Sequence, residues 1–325
     1  MFDRYKSMIK HRSYKNPQVV RDKILSSVLW ICRWVFILAL CYLFLFPMFF
    51  LISTSLQDPS SVNDPSVIFI PKLISLDSIK EMISILNYWD SALLTLEIAV
   101  FSTLASLVSC SLVGYGFSRF NFKFKNVFFV LVILTIIVPR QVILPSLALN
   151  FQFFDFGGVL SLLPEGSDSI NLVNTVWTFV LPSLFSTGLR SGVFIFIFRQ
   201  FFLGLPKDLE EAARIDGCGA IRTYVRIIAP LAVPAFVTVA LFSFVWHWND
   251  LYSSSMFFSS EIKPLMPLLD NLSVLIDRAD IGTTAYSART YMASAPLLAV
   301  LPPLILYIFT QRFFTESIER SGIVG

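Results

Sequence analysis

K-D-L-E-E-A-A-R-I-D-G-C-G-A-I-R-T-Y-V-R-I-I-A-P, Lys207 to Pro230, is a charged stretch set between two long apolar runs. It reads as two short helices with a stop between them. Asp208 stands where a helix cap belongs, and Glu211 three residues later completes a capping-box pattern. Leu209 to Arg214 are mostly good helix formers. Gly217 follows Asp216 where a left-handed C-terminal residue fits, and Gly219 adds a second flexible point. Ala220 to Ile228 predicts a second helix, with Ile221, Val225 and Ile228 at helical spacing and Arg222 and Arg226 on another face. Pro230 marks the entry to the next apolar run. By its residues alone the stretch also suits an amphipathic helix lying on a membrane surface.

The rest of the chain explains why a polar island needs a reason to exist. Of 325 residues, 55% are hydrophobic and 14% charged, where a soluble domain carries about 25% charge. The expected fold class is therefore an all-α, polytopic integral membrane helical bundle with about six transmembrane helices. Cys32, Cys41, Cys110 and Cys218 lie far apart and form neither a disulfide frame nor a metal site. No Gly-Lys dipeptide occurs, so no phosphate-binding loop is encoded, and no H-E-x-x-H is present. No catalytic residue or metal ligand is assigned.

Topology follows from charge. Residues 1–26 form a basic, cytoplasmic N-terminus, and the first span covers 27–52, too long for a signal-peptide core. Residues 53–88 are an external loop with a short helix near Leu76 to Leu86. Residues 89–310 hold five further spans: Trp89–Val113, Val127–Leu149, Thr175–Phe198, Ala229–Tyr252 and Tyr291–Thr310. The last is expected to be interrupted by Pro296, Pro302 and Pro303. The island, 199–228, faces the cytoplasm, as does the tail 311–325. Seventeen Lys and Arg then fall inside and five outside, the asymmetry of positive-inside orientation.

Glu211-Ala212-Ala213, three residues, Gly217, nine residues and Ile227-x-x-Pro230 resemble the E-A-A-x3-G-x9-I-x-L-P signature of permease subunits in bacterial ABC importers. The surroundings resemble the sugar-transporting branch, in particular the maltose-type second permease. Ala229 stands where that signature usually has Leu. The match extends to G-Y-G-F-S-R-F (Gly114–Phe120), Phe198–Phe202, Leu205-Pro206, Trp248-Asn249-Asp250 and the ending Gln311 to Gly325. The segment 150–174 departs from the pattern by its length.

The resemblance implies the ABC importer type I permease fold and a subunit that performs no chemistry itself. Partner ATPase chains bind ATP and Mg. It implies a heterodimer with a second permease, two cytoplasmic ABC ATPases, an extracytoplasmic sugar-binding protein and a bacterial cell membrane location, with no nucleic acid. Asp208, Glu210, Glu211, Ala212, Ala213, Arg214, Asp216, Gly217 and Arg222 become the ATPase-coupling residues. Small Ala212 and Ala213 allow a close approach to a groove, and Glu211 and Arg214 suit charge-assisted contacts at its rim. Gly322, Ile323, Val324 and Gly325 are a second candidate ATPase contact, against a frayed terminus as the plain alternative.

Polar residues inside spans belong to a cavity or a partner. Glu97 lines the path, pairs with Arg140 or Arg190, or is hydrated near the interface. Trp246, Trp248, Asn249 and Asp250, with His247 among them, suit sugar stacking and hydroxyl recognition. They equally suit an interfacial anchor or an inter-helix brace. The competing functions are an ion-coupled secondary transporter, which needs intramembrane relays or internal repeats, and an ABC importer of a non-sugar solute. A membrane-embedded enzyme would need clustered catalytic groups that the spans lack. Glu211→Lys, or a bulky residue at Gly217, is expected to leave the protein in the membrane but uncouple it; normal transport by these variants would remove the coupling assignment.

Overall fold

The computed structural model describes residues 17–58, 71, 73–155, 157, 169–279 and 285–322. The described residues are mostly helical, with isolated bridges at Gln57–Ile74 and Phe154–Ile170. Three helices are long and apolar enough to cross a bilayer unbroken: Ile24–Ser55 within α1 (Pro17–Ser55), all of α3 (Tyr88–Arg119), and Ala288–Gln311 within α15 (Ala285–Gly322). α2 (Asp77–Ile85) is the short helix between the first two.

α3 is the axis. It packs on α7 (Ser191–Gly204), α11 (Val233–Trp248) and α6 (Trp177–Leu184). Its buried face is made of small and hydroxyl residues, among them Ser102, Ser106, Ser109, Cys110, Ser111 and Gly114. In lipid, tails compete for apolar side chains, so helices associate through close backbone approach and hydrogen bonds across the seam. Both occur here. A Cβ at Gly114 would lie 2.7 Å from Phe198 Cβ and 3.1 Å from the Arg199 backbone nitrogen. Ser109 donates to the Ser183 carbonyl at 2.6 Å, Thr103 to Ser243 Oγ at 3.0 Å, and Tyr224 to Ser111 Oγ at 2.7 Å.

The other expected spans are interrupted, a difference with local causes. The third is α4 (Lys125–Ile137), then extended Val138 and Pro139, a 3-10 turn at Arg140–Val142, and α5 (Leu144–Gln152). Val138 cannot stay helical before Pro139 without a steric clash. The fourth is α6, then an unwound segment 185–190 and α7. Ser186 and Arg190 there have φ of 57° and 55°. The fifth, α11, stops at Trp248; α12 (Tyr252–Phe257) follows after Asn249-Asp250-Leu251.

α4, α7 and α11 have 13, 14 and 16 residues. At 1.5 Å per residue they reach about 20–24 Å, short of a hydrocarbon core of about 30 Å. Beyond the breaks, α5 and α12 pack through a perpendicular Phe151–Phe257 contact at 5.4 Å, with Phe179 and Phe258 beside it.

The sixth span departs the other way: α15 runs through Pro296, Pro302 and Pro303 without a break. α13 (Leu265–Asp270) and α14 (Leu272–Arg278) complete that end, and α1 packs along α15. None of the most apolar window of α1 is buried, and Cys32 and Cys41 on it are exposed.

Gly114→Ala is expected to lower the midpoint of detergent-solubilised thermal unfolding, by about 1–3 kcal/mol of overpacking. Gly116→Ala, with nothing within 4 Å of its added carbon, should raise it slightly. Equal midpoints for the two variants would contradict the close α3–α7 approach.

Candidate functional site

The island folds as α8 (Asp208–Ile215), a turn, and α9 (Ala220–Thr223). α9 continues through a π-helical turn at Tyr224–Ile228 into α10 (Ala229–Leu231), and α11 departs at 78°. The second expected helix is thus part of a longer, bent element. The cap expectation is corrected: Lys207, not Asp208, is the N-cap residue, and no side chain caps the helix. The three acids Asp208, Glu210 and Glu211 in the first turn instead meet the positive end of the helix dipole. Gly217 takes φ +75°, and Cys218 N–H bonds back to the Ala213 carbonyl at 2.8 Å, closing α8 with a left-handed glycine.

The coupling residues divide by face. Asp208, Glu211, Ala212, Arg214, Asp216, Gly217 and Arg222 are exposed. Glu210 and Ala213 are buried against the chain's own core. That corrects the expectation that both alanines are free for a close contact. Ala212 is available; Ala213 is not. Ile215 and Ile221 are 87% and 80% exposed, so the polar element presents two large aliphatic side chains outward.

Glu210 pairs with Arg119 at 2.9 Å, with side chains 8% and 3% exposed. Arg119 also donates through Nη2 to the Leu205 carbonyl at 2.8 Å. One guanidinium therefore joins the last turn of α3, the segment leaving α7, and the first turn of α8. Around it pack Tyr115, Phe202 and Tyr224, with Tyr115 ring centroids 5.8 Å from Phe202 and 5.0 Å from Tyr224. Sequence reading counted Glu210 among the ATPase-coupling residues. The signal that could have moved it is Arg119 in G-Y-G-F-S-R-F, a cation at the end of a span with no acid nearby in sequence.

The candidate path residues do not form one cluster. Glu97 pairs with neither Arg140 nor Arg190; it lines an open pocket of about 510 Å³ with Asp90, Asn174, Phe258, Ser260 and Glu261. Asn174 Oδ1 accepts from the Ser259 and Ser260 backbone N–H groups at 2.8 and 3.0 Å, which fixes the pocket wall. Trp248 is 2% exposed and donates to the Ala299 carbonyl at 3.1 Å. It braces α11 against α15 and cannot stack on a sugar. Asn249 is exposed and donates to the Val245 carbonyl at 2.9 Å.

Asp250 is buried, and the Arg140 charge acts on both Asp250 and His247. His247 bonds through Nδ1 to the Ser243 carbonyl at 2.7 Å, which leaves Nε2 without a partner among the described residues. Trp246 lies beneath the Arg190 guanidinium, 4.8 Å from ring centroid to Cζ. Gly322 is the last residue of α15; residues 323–325 lie outside the described residues.

The chain is a helical bundle with interrupted apolar segments and a polar helix pinned at one end. The comparisons place it. The chain belongs to the family described as "Binding-protein-dependent transport system inner membrane component", which matches residues 106–320. It is similar to the arabinooligosaccharides transport system permease protein AraQ of Bacillus subtilis, 29% identical over 92% of this chain and 97% of that protein. It is also similar to the polygalacturonan/rhamnogalacturonan transport system permease protein YtcP of the same organism, 24% identical over 89% of this chain and 96% of that one. A third relative is the alpha-glucoside transport system permease protein AglG of Rhizobium meliloti, 27% identical over 77% of this chain and 60% of that one. Among solved structures, a bacterial ABC transporter involved in the import of the acidic polysaccharide alginate shares the fold. Its TM-score is 0.71 at 20% identity, over 89% of this chain and 97% of that one.

Glu210→Ala or Arg119→Ala alone should cost about 3–5 kcal/mol, because each leaves a buried charge unpaired. The pair Arg119→Met with Glu210→Leu should recover most of that. The readout is thermal unfolding of the purified protein, and single variants as stable as wild type would rule out the buried pair.

Proposed function

We propose that this chain is one half of the translocation path of an ATP-driven importer of oligosaccharides. A second permease supplies the other half, an extracytoplasmic binding protein delivers the sugar, and two ATPase chains bind ATP and Mg. The chain is multi-pass in a bacterial cell membrane, with both termini and α8 in the cytoplasm. The lopsided placement of Lys and Arg supports this orientation. The sugar assignment is supported by the relatives, whose names span arabino-oligosaccharides, galacturonans and alpha-glucosides.

The observation that carries the reading is the outward face of α8. Glu211, Ala212 and Arg214 stand in the open, with Ile215 at the helix end, while Glu210 and Ala213 hold the opposite face to the core. A helix so fixed transmits a push from a docked partner instead of yielding to it. Exposed Ile215 and Ile221 give that partner apolar area to cover, at roughly 25 cal/mol per Å². The path itself runs beside the three breaks, since interrupted backbone within a membrane is tolerated where it lines a cavity or meets protein.

Affinity purification of the chain from its native membrane should bring down an ATPase subunit. Cysteine at Ala212 should cross-link to that subunit, with cysteine at the buried Ala213 as the negative control. An isolated chain with no ATPase, or equal cross-linking at both positions, would refute the docking assignment.

A further inference from the structure

The unwound segment between α6 and α7 ends on Arg190, and three separate costs meet there. Its backbone is left-handed, φ 55°, a conformation that non-glycine residues avoid. It is the N-cap residue of a 14-residue helix, where the dipole disfavours a cation. It also lies about 21 Å along α7 from the Arg119 end, by helix rise, at a depth where a charge cannot face lipid without large cost. Yet Arg190 is exposed, and among the described residues no carboxylate pairs with it. Asp250 and Arg140 at the neighbouring breaks are largely buried and act on each other. Arg190 is left facing outward.

The surrounding aromatics do not bury this charge; they aim it. The guanidinium lies over Trp246, 4.8 Å from the ring centroid. Trp246 in turn stacks with Phe194 at 5.4 Å and Phe242 at 5.5 Å, interplanar angles 21° and 13°. A cation on an aromatic face is held by the ring quadrupole while its N–H edge stays free. With its neighbours stacked against it, Trp246 serves as a pedestal. The group left to meet a solute is the planar guanidinium, whose fork matches two adjacent oxygen acceptors.

We propose that Arg190 on its Trp246 pedestal is a sugar-recognition residue of this half of the path, donating to paired oxygens of a passing oligosaccharide. The paired oxygens are two vicinal hydroxyls of a neutral sugar or the carboxylate of a uronate. This rests on the importer reading, in which the exposed side of Arg190 faces a path completed by the second permease. The rival occupant is an acidic side chain of that second permease.

The test uses the whole importer, with both permeases, the ATPase pair and the binding protein, in proteoliposomes. The probes are an arabino-oligosaccharide and an oligogalacturonide of matched length. In R190Q, probe retained by the vanadate-trapped complex should fall about tenfold for a hydroxyl pair and about a hundredfold for a carboxylate, since charged hydrogen bonds are the stronger. Sugar imported per ATP hydrolysed should fall with it. R190K should keep part of the retention of the oligogalacturonide and little of the neutral probe, because it keeps the charge and loses the fork. Whichever probe shows the loss identifies the oxygen pair.

Retention and stoichiometry unchanged in R190Q would overturn the proposal. So would a lower yield of the two-permease complex with retention per complex unchanged, which assigns Arg190 to the rival contact. A wild-type importer that carries neither probe excludes these two sugar classes as its solute. R190C then decides the position of Arg190, in a background with Cys32, Cys41 and Cys218 replaced by Ser. Labelling by a charged, membrane-impermeant thiosulfonate supports a water-filled path at this level, and absence of labelling overturns it.

Discussion

A guanidinium and a carboxylate 2.9 Å apart, both nearly sealed from solvent, join α8 to the end of α3. Without that pair the first turn of α8 would lose its one charged tie to α3 among the described residues. With it, the first turn of α8 is locked to the helix about which the bundle is built. A charge that loses its partner in such a place has no water to turn to, so the contact resists sliding. Glu210 and Glu211 show how one step along a helix divides roles. The first is structural and inward; the second is presented to a partner.

The second constraint is the bilayer. Unbroken helices satisfy most of their own backbone groups, and α1, α3 and α15 run without a break. The three spans that do not are those between which the path is proposed to run. Their breaks at Pro139, at Ser186 to Arg190 and at Asn249-Asp250 carry the ionisable residues Arg140, Arg190 and Asp250. α3, which needs only to hold the bundle together, uses serine, threonine and glycine instead.

Much of this was legible in the residues. Composition gave the membrane class, the placement of Lys and Arg gave an orientation to test, and Gly217 after Asp216 read correctly as a left-handed helix end. The misreadings share a cause. α8 has no alternation strong enough to say which of its acids faces in, because the partner of Glu210 lies 91 positions earlier, at Arg119. Glu97 was weighed against Arg140 and Arg190 as an intramembrane acid seeking a cation. In the folded chain it opens to a pocket with Asp90 and Glu261, while each arginine has its own surroundings.

Proline shows the same limit. Pro139 breaks a span, yet Pro296, Pro302 and Pro303 leave α15 continuous, because lost backbone hydrogen bonds can be compensated by neighbouring helices. What the sequence settled by itself is what depends on local chemistry: apolar runs long enough for a membrane, a polar island between them, and a glycine hinge. What only the tertiary structure decided is which residues of that island face the core, which spans are interrupted, and where each buried or stranded charge finds its neighbour. Those depend on contacts between segments distant in the chain, and no local pattern records them.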